Sequence, residues 1–206
     1  MEATKYRCNL DILSRPDGSV LFCEGKTTVI AGLYGPVEVK IQKAHIDKAT
    51  VDCHYRPKSG LPGVEDRLYE SFIRNTCETS LVAALFPRSA VLIMLQEMQN
   101  DKQLISCAVN AACMACLSSG IDMKFMFGAV TAFLTKDEEL VLTPPIIDKD
   151  IKALFVIVFE STEGRILACH TEGCFSKEQF NQAVSICEAQ CINVFKFFKQ
   201  TLLDNK

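Results

Sequence analysis

Histidine is scarce in this chain, and an excess of positive charge is missing altogether. Its three histidines, His45, His54 and His170, are dispersed and form no ligand pattern. Net charge is −3 and the isoelectric point is near 5.7, which excludes a polybasic nucleic-acid binder. A nucleic-acid role would need a local basic patch or partner subunits. No segment approaches the ~18 consecutive apolar residues of a membrane span, so no membrane partner is expected. The opening from Met1 to Leu10 lacks the apolar core of a secretory signal. Repeats, low-complexity tracts and linkers are also missing.

What is present is a large hydrophobic fraction, 49% of 206 residues, enough for a sizeable core in one domain spanning residues 1–206. Mean hydropathy of +0.15 is high for an isolated soluble domain and points to an apolar face that a partner covers. Eleven cysteines invite a disulfide or zinc reading. They number odd, and most sit inside apolar runs, where a free cysteine acts as a small buried hydrophobe. Cys113-Met-Ala-Cys116 is formally a C-x-x-C, but it falls mid-helix with no second pair at zinc-finger spacing. The cysteines are read as core, the compartment as reducing and intracellular, and neither metal nor cofactor is expected.

The first half reads as strands. Asn9 to Leu13 and Ser19 to Cys23 flank Arg15-Pro-Asp-Gly18, a turn with proline and glycine in suitable places. Thr27 to Tyr34 is apolar and β-branched, and Gly35-Pro36 should break it. Val37, Val39 and Ile41 alternate with polar residues, as do Val51, Cys53 and Tyr55, so both read as half-buried strands. Together these segments predict an antiparallel meander with one solvated face. A helix should start near Val64, with Glu65 and Asp66 favoured in its first turn, and run to about Phe86, where Pro87 stops it.

Ala90 to Leu95 is a continuous apolar run, expected as a strand buried on both faces. Asn100-Asp101 resembles a helix start, and the small-residue helix from Leu104 to Ser119 ends at Gly120. Met126 to Leu134, Leu140 to Leu142, Ala153 to Phe159 and Arg165 to His170 read as further strands. Phe180, Val184, Cys187, Cys191, Val194 and Phe198 form one apolar stripe on a final helix. The pattern predicts an α+β domain with helices packed on mixed sheets.

Several stretches carry a likeness to a known family. They are Arg15-Pro-Asp-Gly18 with the strand pair through Gly32, His54-Tyr-Arg-Pro-Lys-Ser-Gly60, Arg74-Asn-Thr-Cys-Glu78 and Asn110-Ala-Ala-Cys-Met-Ala115. In order and spacing they resemble the ribonuclease PH family, specifically the RNase-PH-like subunits of the exosome ring. The resemblance implies an RNase PH-like fold. In active members phosphate attacks the last phosphodiester of an RNA 3′ end. A Gly–Ser/Thr–Arg turn holds that phosphate at the start of the helix after the buried strand.

By the same resemblance those positions are Lys102, Gln103 and Leu104 here. Leucine cannot clamp a phosphate, and Lys102 offers a point charge without the bidentate fork of arginine. Thr143 and Pro144 stand where an aspartate would be expected, with Asp148 and Asp150 close by as partial substitutes. The implied reading is a non-catalytic ring subunit in 3′-5′ RNA processing and decay, rRNA included. Its partners would be other RNase-PH-like exosome subunits, or itself as a homodimer, together with single-stranded RNA. It would act in nucleus, nucleolus and cytoplasm.

RNA contact would fall to Arg56 and Lys58 on a strand end and Arg67 and Arg74 on the next helix. The last two are seven residues apart and so share a helix face, although acidic residues interleave with them. Two alternatives remain. One is a residual nuclease using Asp148 or Asp150 with magnesium. The other is a free homodimer that binds RNA or DNA and assists another nuclease.

Overall fold

The computed structural model describes residues 5–39, 41–136, 138–143 and 151–205. The order of elements is β1 (Tyr6–Leu10), β2 (Gly18–Glu24), β3 (Thr27–Glu38), β4 (Thr50–Arg56), α1 (Val64–Ser80), β5 (Ser89–Gln99) and α2 (Leu104–Ser119). Then come β6 (Phe127–Thr135), β7 (Leu140–Val141), β8 (Ile151–Glu160), β9 (Ile166–Gly173) and α3 (Lys177–Asp204). Single turns of 3-10 helix occupy Ile41–Lys43 and Ala83–Leu85. Five strands form a mixed sheet in the order β1-β2-β3-β5-β4, and four form an antiparallel sheet in the order β7-β6-β8-β9. The expected α+β class with mixed sheets and packed helices is what the chain adopts.

The centre of the fold is α2. Every residue from Leu104 to Cys116 is buried, because the helix packs on β2 and β3 of one sheet and on β6 and β8 of the other. Its run of Ala, Cys and Ser allows this close fit. A Cβ added at Gly18 on β2 would lie 2.5 Å from both the Ala115 carbonyl and the Ser119 amide. Gly120 ends α2 at φ 70°, a left-handed cap that glycine adopts without strain. The helix α1 packs on β4, and α3 lays its stripe of Cys187, Cys191, Val194 and Phe198 on β6 and β8.

Several sequence expectations need correction. The strands of the first half are not a simple meander: β5 inserts between β3 and β4, and β4 pairs with it in parallel, from Thr50 opposite Ala90 to Arg56 opposite Gln96. Gly35-Pro36 does not break β3, which runs on to Glu38 through a register shift between Tyr34 and Val37. Ile41 belongs to a 3-10 turn and not to a strand. The first strand ends at Leu10, leaving Ile12 and Leu13 in the loop.

On β5, Ala90, Val91, Ile93 and Leu95 are buried, but Met94 is 39% exposed, so this strand has one open face. The first helix stops at Ser80 and not near Phe86. The chain beyond it turns to pair with residues 122–124: Lys124 donates to the Ser80 carbonyl, and Val82 donates to Asp122. The second helix runs from Leu104 to Ser119 as expected, but its N-cap is Gln103 and not Asn100 or Asp101.

All eleven cysteines are free, and seven are buried. Burial pushes the thiols of Cys53, Cys187 and Cys191 up to about 12, so they stay protonated and pack as hydrophobes. Among the described residues no group of His, Cys, Asp and Glu could hold a metal ion. No described helix is long and apolar enough to cross a membrane.

Candidate nucleic-acid interface and the turn before the second helix

The turn before α2 is built by β3 and β5. Thr27 Oγ1 accepts from the Asp101 amide at 2.9 Å, and Asn100 Oδ1 accepts from the Lys102 amide at 2.9 Å. Lys102 sits at φ 65°, a left-handed position that sharpens the entry into the helix. Gln103 is 2% exposed and turned inward, where its Nε2 donates to the Leu142 carbonyl at 2.9 Å. Leu104 opens the helix and lines a cavity of about 270 Å³ that Lys102 also lines. The structure therefore brings Lys102 and Leu104 together and withdraws Gln103.

Behind this turn lies a carboxyl that sequence reasoning missed. Glu24 ends β2 and is 1% exposed. Burial pushes it up to about 8, against the opposing hydrogen bonds of Ser106 and Asn110. Asn110 has a second task. Among the described residues, β7 pairs with β6 at Phe133 and Leu134 alone. Ala129 lies beyond that pairing, and Asn110 completes its hydrogen bonds: Nδ2 donates to the Ala129 carbonyl at 3.0 Å, and Oδ1 accepts from its amide at 2.8 Å. A side chain of α2 thus does the work of a strand partner.

The four basic candidates separate into two places. Arg56 at the end of β4, Lys58 in the following loop and Arg67 in the second turn of α1 are all exposed. Arg74 is half-buried, donates through Nη2 to Ser71 Oγ at 3.2 Å and lines a cavity of about 310 Å³ with Lys43, His45 and Asp52. Arg56, Lys58 and Arg67 stand outside that cavity.

Asp52 and Glu78 line the same cavity as Arg74. Lys43 Nζ meets Asp52 at 2.7 Å, and His54 Nδ1 lies 3.2 Å from Glu70. Burial raises the Asp52 carboxyl, but Lys43, His54 and Arg74 outweigh it and hold the group below its ordinary value. Glu70 also accepts from the Tyr55 amide at 3.3 Å, which covers part of the open edge of β4. Lys43 and His45 escaped sequence reasoning because nothing local ties them to α1. Asp148 and Asp150 lie outside the described residues.

Two sheets closed over one small-residue helix, with a polar turn at that helix's start, is an arrangement shared with RNA-degrading proteins. Residues 2–122 match the 3′ exoribonuclease family, domain 1, and the chain belongs to this RNase PH family. It is similar to the exosome complex exonuclease RRP46 homolog of Arabidopsis thaliana, 32% identical over 161 residues, or 78% of this chain and 67% of that one. It is also similar to the exosome complex component rrp46 of Schizosaccharomyces pombe, 27% identical over 95% of this chain and 88% of that one. Among solved structures, rice (Oryza sativa) Rrp46 superposes with a TM-score of 0.92 at 25% identity, covering 98% of this chain and 96% of that one. The Archaeoglobus fulgidus exosome with RNA bound to the active site shares the fold, with a TM-score of 0.81 at 13% identity over 96% of this chain and 89% of that one.

Proposed function

We propose that this chain is a subunit of an exosome ring that helps hold RNA and does not itself carry out phosphorolysis. It is a single domain, and its neighbours are other RNase-PH-like subunits. It works in 3′-5′ RNA processing and decay, rRNA included, in nucleus, nucleolus and cytoplasm. Likeness to RRP46 proteins of plants and yeast over most of the chain supports the ring.

The observation that carries the absence of catalysis is the turn before α2. Leu104 lines the cavity there, and Gln103 is spent on Leu142. Phosphoryl transfer depends on positioning and on neutralising charge; Leu104 supplies neither, and Lys102 brings one point charge without the bidentate fork of arginine. Exposed Arg56, Lys58 and Arg67 are the residues best placed to meet an RNA backbone, whereas Arg74 is half-buried and bonded to Ser71.

Purification of the tagged protein from its native cells tests the ring. Other RNase-PH-like chains should accompany it in comparable amounts. Recovery of this chain alone as a dimer would replace the ring with the self-paired nucleic-acid binder.

A further inference from the structure

We propose that the cavity between the C-terminal ends of α2 and α3 binds a small amphipathic cation, a protonated amine carried on an apolar body. The inference goes beyond the RNA-holding reading and does not rest on it. Leu104 and Ser119 are the two ends of α2, so the cavity lies a helix length, roughly 22 Å at 1.5 Å per residue, from the turn at Lys102. Its volume of about 560 Å³ falls within the range of small-molecule sites, roughly 300–1,000 Å³.

Leucine sets the body of the ligand. Leu10 from the end of β1, Leu117 from α2 and Leu202 and Leu203 from α3 make an apolar wall. Leu203 is 68% exposed, so apolar surface stands open to water, and covering it is the drive for binding an apolar body.

The helix ends set the charge. The last turns of α2 and α3 both line the cavity, and a helix C-terminus carries the equivalent of about half a negative charge. Asp11 adds a carboxylate. Lys199 on α3 is the one cation of the lining, and it pairs with no carboxylate among the described residues, Asp11 included. Two helix ends and Asp11 against one lysine leave about one negative charge in excess.

Acceptors for an ammonium are in place. Asp11 Oδ1 accepts from the Ser118 hydroxyl at 2.7 Å, which leaves Oδ2 for a ligand. Asn205 Nδ2 donates to the Thr201 carbonyl at 3.0 Å, which leaves its Oδ1 to accept. Those bonds hold both side chains, so the two oxygens are oriented before a ligand arrives. An anion would find Lys199 alone, set against the field of the helix ends.

The test titrates the full chain, uniformly labelled with ¹⁵N, with three ligands that share one body: 4-phenylbutylamine, 4-phenylbutanol and 4-phenylbutyrate. Saturable shifts of the Asp11, Ser118 and Leu203 amides are expected with the amine. The alcohol should bind roughly tenfold more weakly, as befits one lost charge-assisted contact, and the anion should give no saturable shift. Asp11→Asn keeps an acceptor for Ser118 and a residue that accepts the left-handed backbone at φ 54°. It should weaken the amine roughly tenfold and leave the alcohol unchanged. Lys199→Met keeps an apolar stem and removes the opposing charge, so it should tighten the amine several-fold.

Absence of saturable amine shifts overturns the site. So does an alcohol or anion that binds as tightly as the amine, because the cavity would then be a general apolar groove or an anion site. An amine affinity unchanged in Asp11→Asn, or lowered in Lys199→Met, contradicts the assignment of charge. Shifts of the same amides on raising the chain concentration alone would make the groove a contact between copies and overturn the site as well.

Discussion

Glu24 and Ser106 are 82 residues apart in the chain, yet the Ser106 hydroxyl donates to the Glu24 carboxyl at 2.9 Å in a site closed to solvent. That bond fastens the first turn of α2 to the end of β2, directly behind the turn where the family's active members hold phosphate. With the carboxyl raised from 4.5 to about 8 by burial, the folded chain keeps a proton that the unfolded chain releases. Between those two values stability must fall as pH rises, and above about 8 this contribution is fully lost.

Glu24→Gln keeps the shape and removes the titration. Its melting temperature should exceed the parent's at pH 8 by several degrees, and by a smaller margin at pH 5. The difference between the two margins reflects on the order of a few kcal/mol. Equal margins at the two pH values would mean that the carboxyl does not titrate as its burial requires.

Asn110→Ala should be among the most damaging single changes in the core. It leaves the amide and carbonyl of Ala129 without partners in a region closed to water. Two orphaned backbone groups cost roughly 2–5 kcal/mol together. Chemical denaturation checks this; a destabilisation below about 1 kcal/mol would show that β6 finds other partners. Asn110→Asp should not rescue it, because a carboxylate cannot donate to the carbonyl.

Much of this architecture was readable from residue patterns, for reasons that are local. The bounds of α2 came out as Leu104–Ser119 because a small-residue run meets a glycine that caps at φ 70°. The stripe on α3 follows from helical spacing alone. What escaped was set by partners distant in sequence. The end of α1 is decided by residues 122–124, and no local stop signal exists at Ser80. Alternation in β4 reveals a half-buried strand but not that its neighbour would be β5 or that the pairing would be parallel.

The site was legible to the same degree. Leu104 announces an apolar turn, whereas the inward swing of Gln103 depends on Leu142, 39 residues away. Arg74 looked like a companion of Arg67 by spacing, and it is the charges of Lys43 and Asp52 from other elements that set it apart.

For RNA binding the exposed residues make the cleaner experiment. Arg56→Ala combined with Lys58→Ala should weaken single-strand binding and flatten its salt dependence. The log–log slope should fall by about 0.7 for each RNA phosphate that these side chains no longer neutralise. Melting temperature should hardly move, since both side chains are exposed. An unchanged affinity and slope would make this patch an ordinary solvated face.

The central claim is that the turn from Lys102 to Leu104 cannot support phosphorolysis. The most direct measurement is release of nucleoside diphosphate from the labelled 3′ end of an RNA by the purified chain, with and without added phosphate. The account predicts no phosphate-dependent release. Nucleoside diphosphate that appears in proportion to added phosphate, and disappears in Lys102→Ala, would contradict it. Release of nucleoside monophosphate that is independent of phosphate, needs magnesium and is abolished in Asp148→Asn or Asp150→Asn would instead make the chain a hydrolytic nuclease.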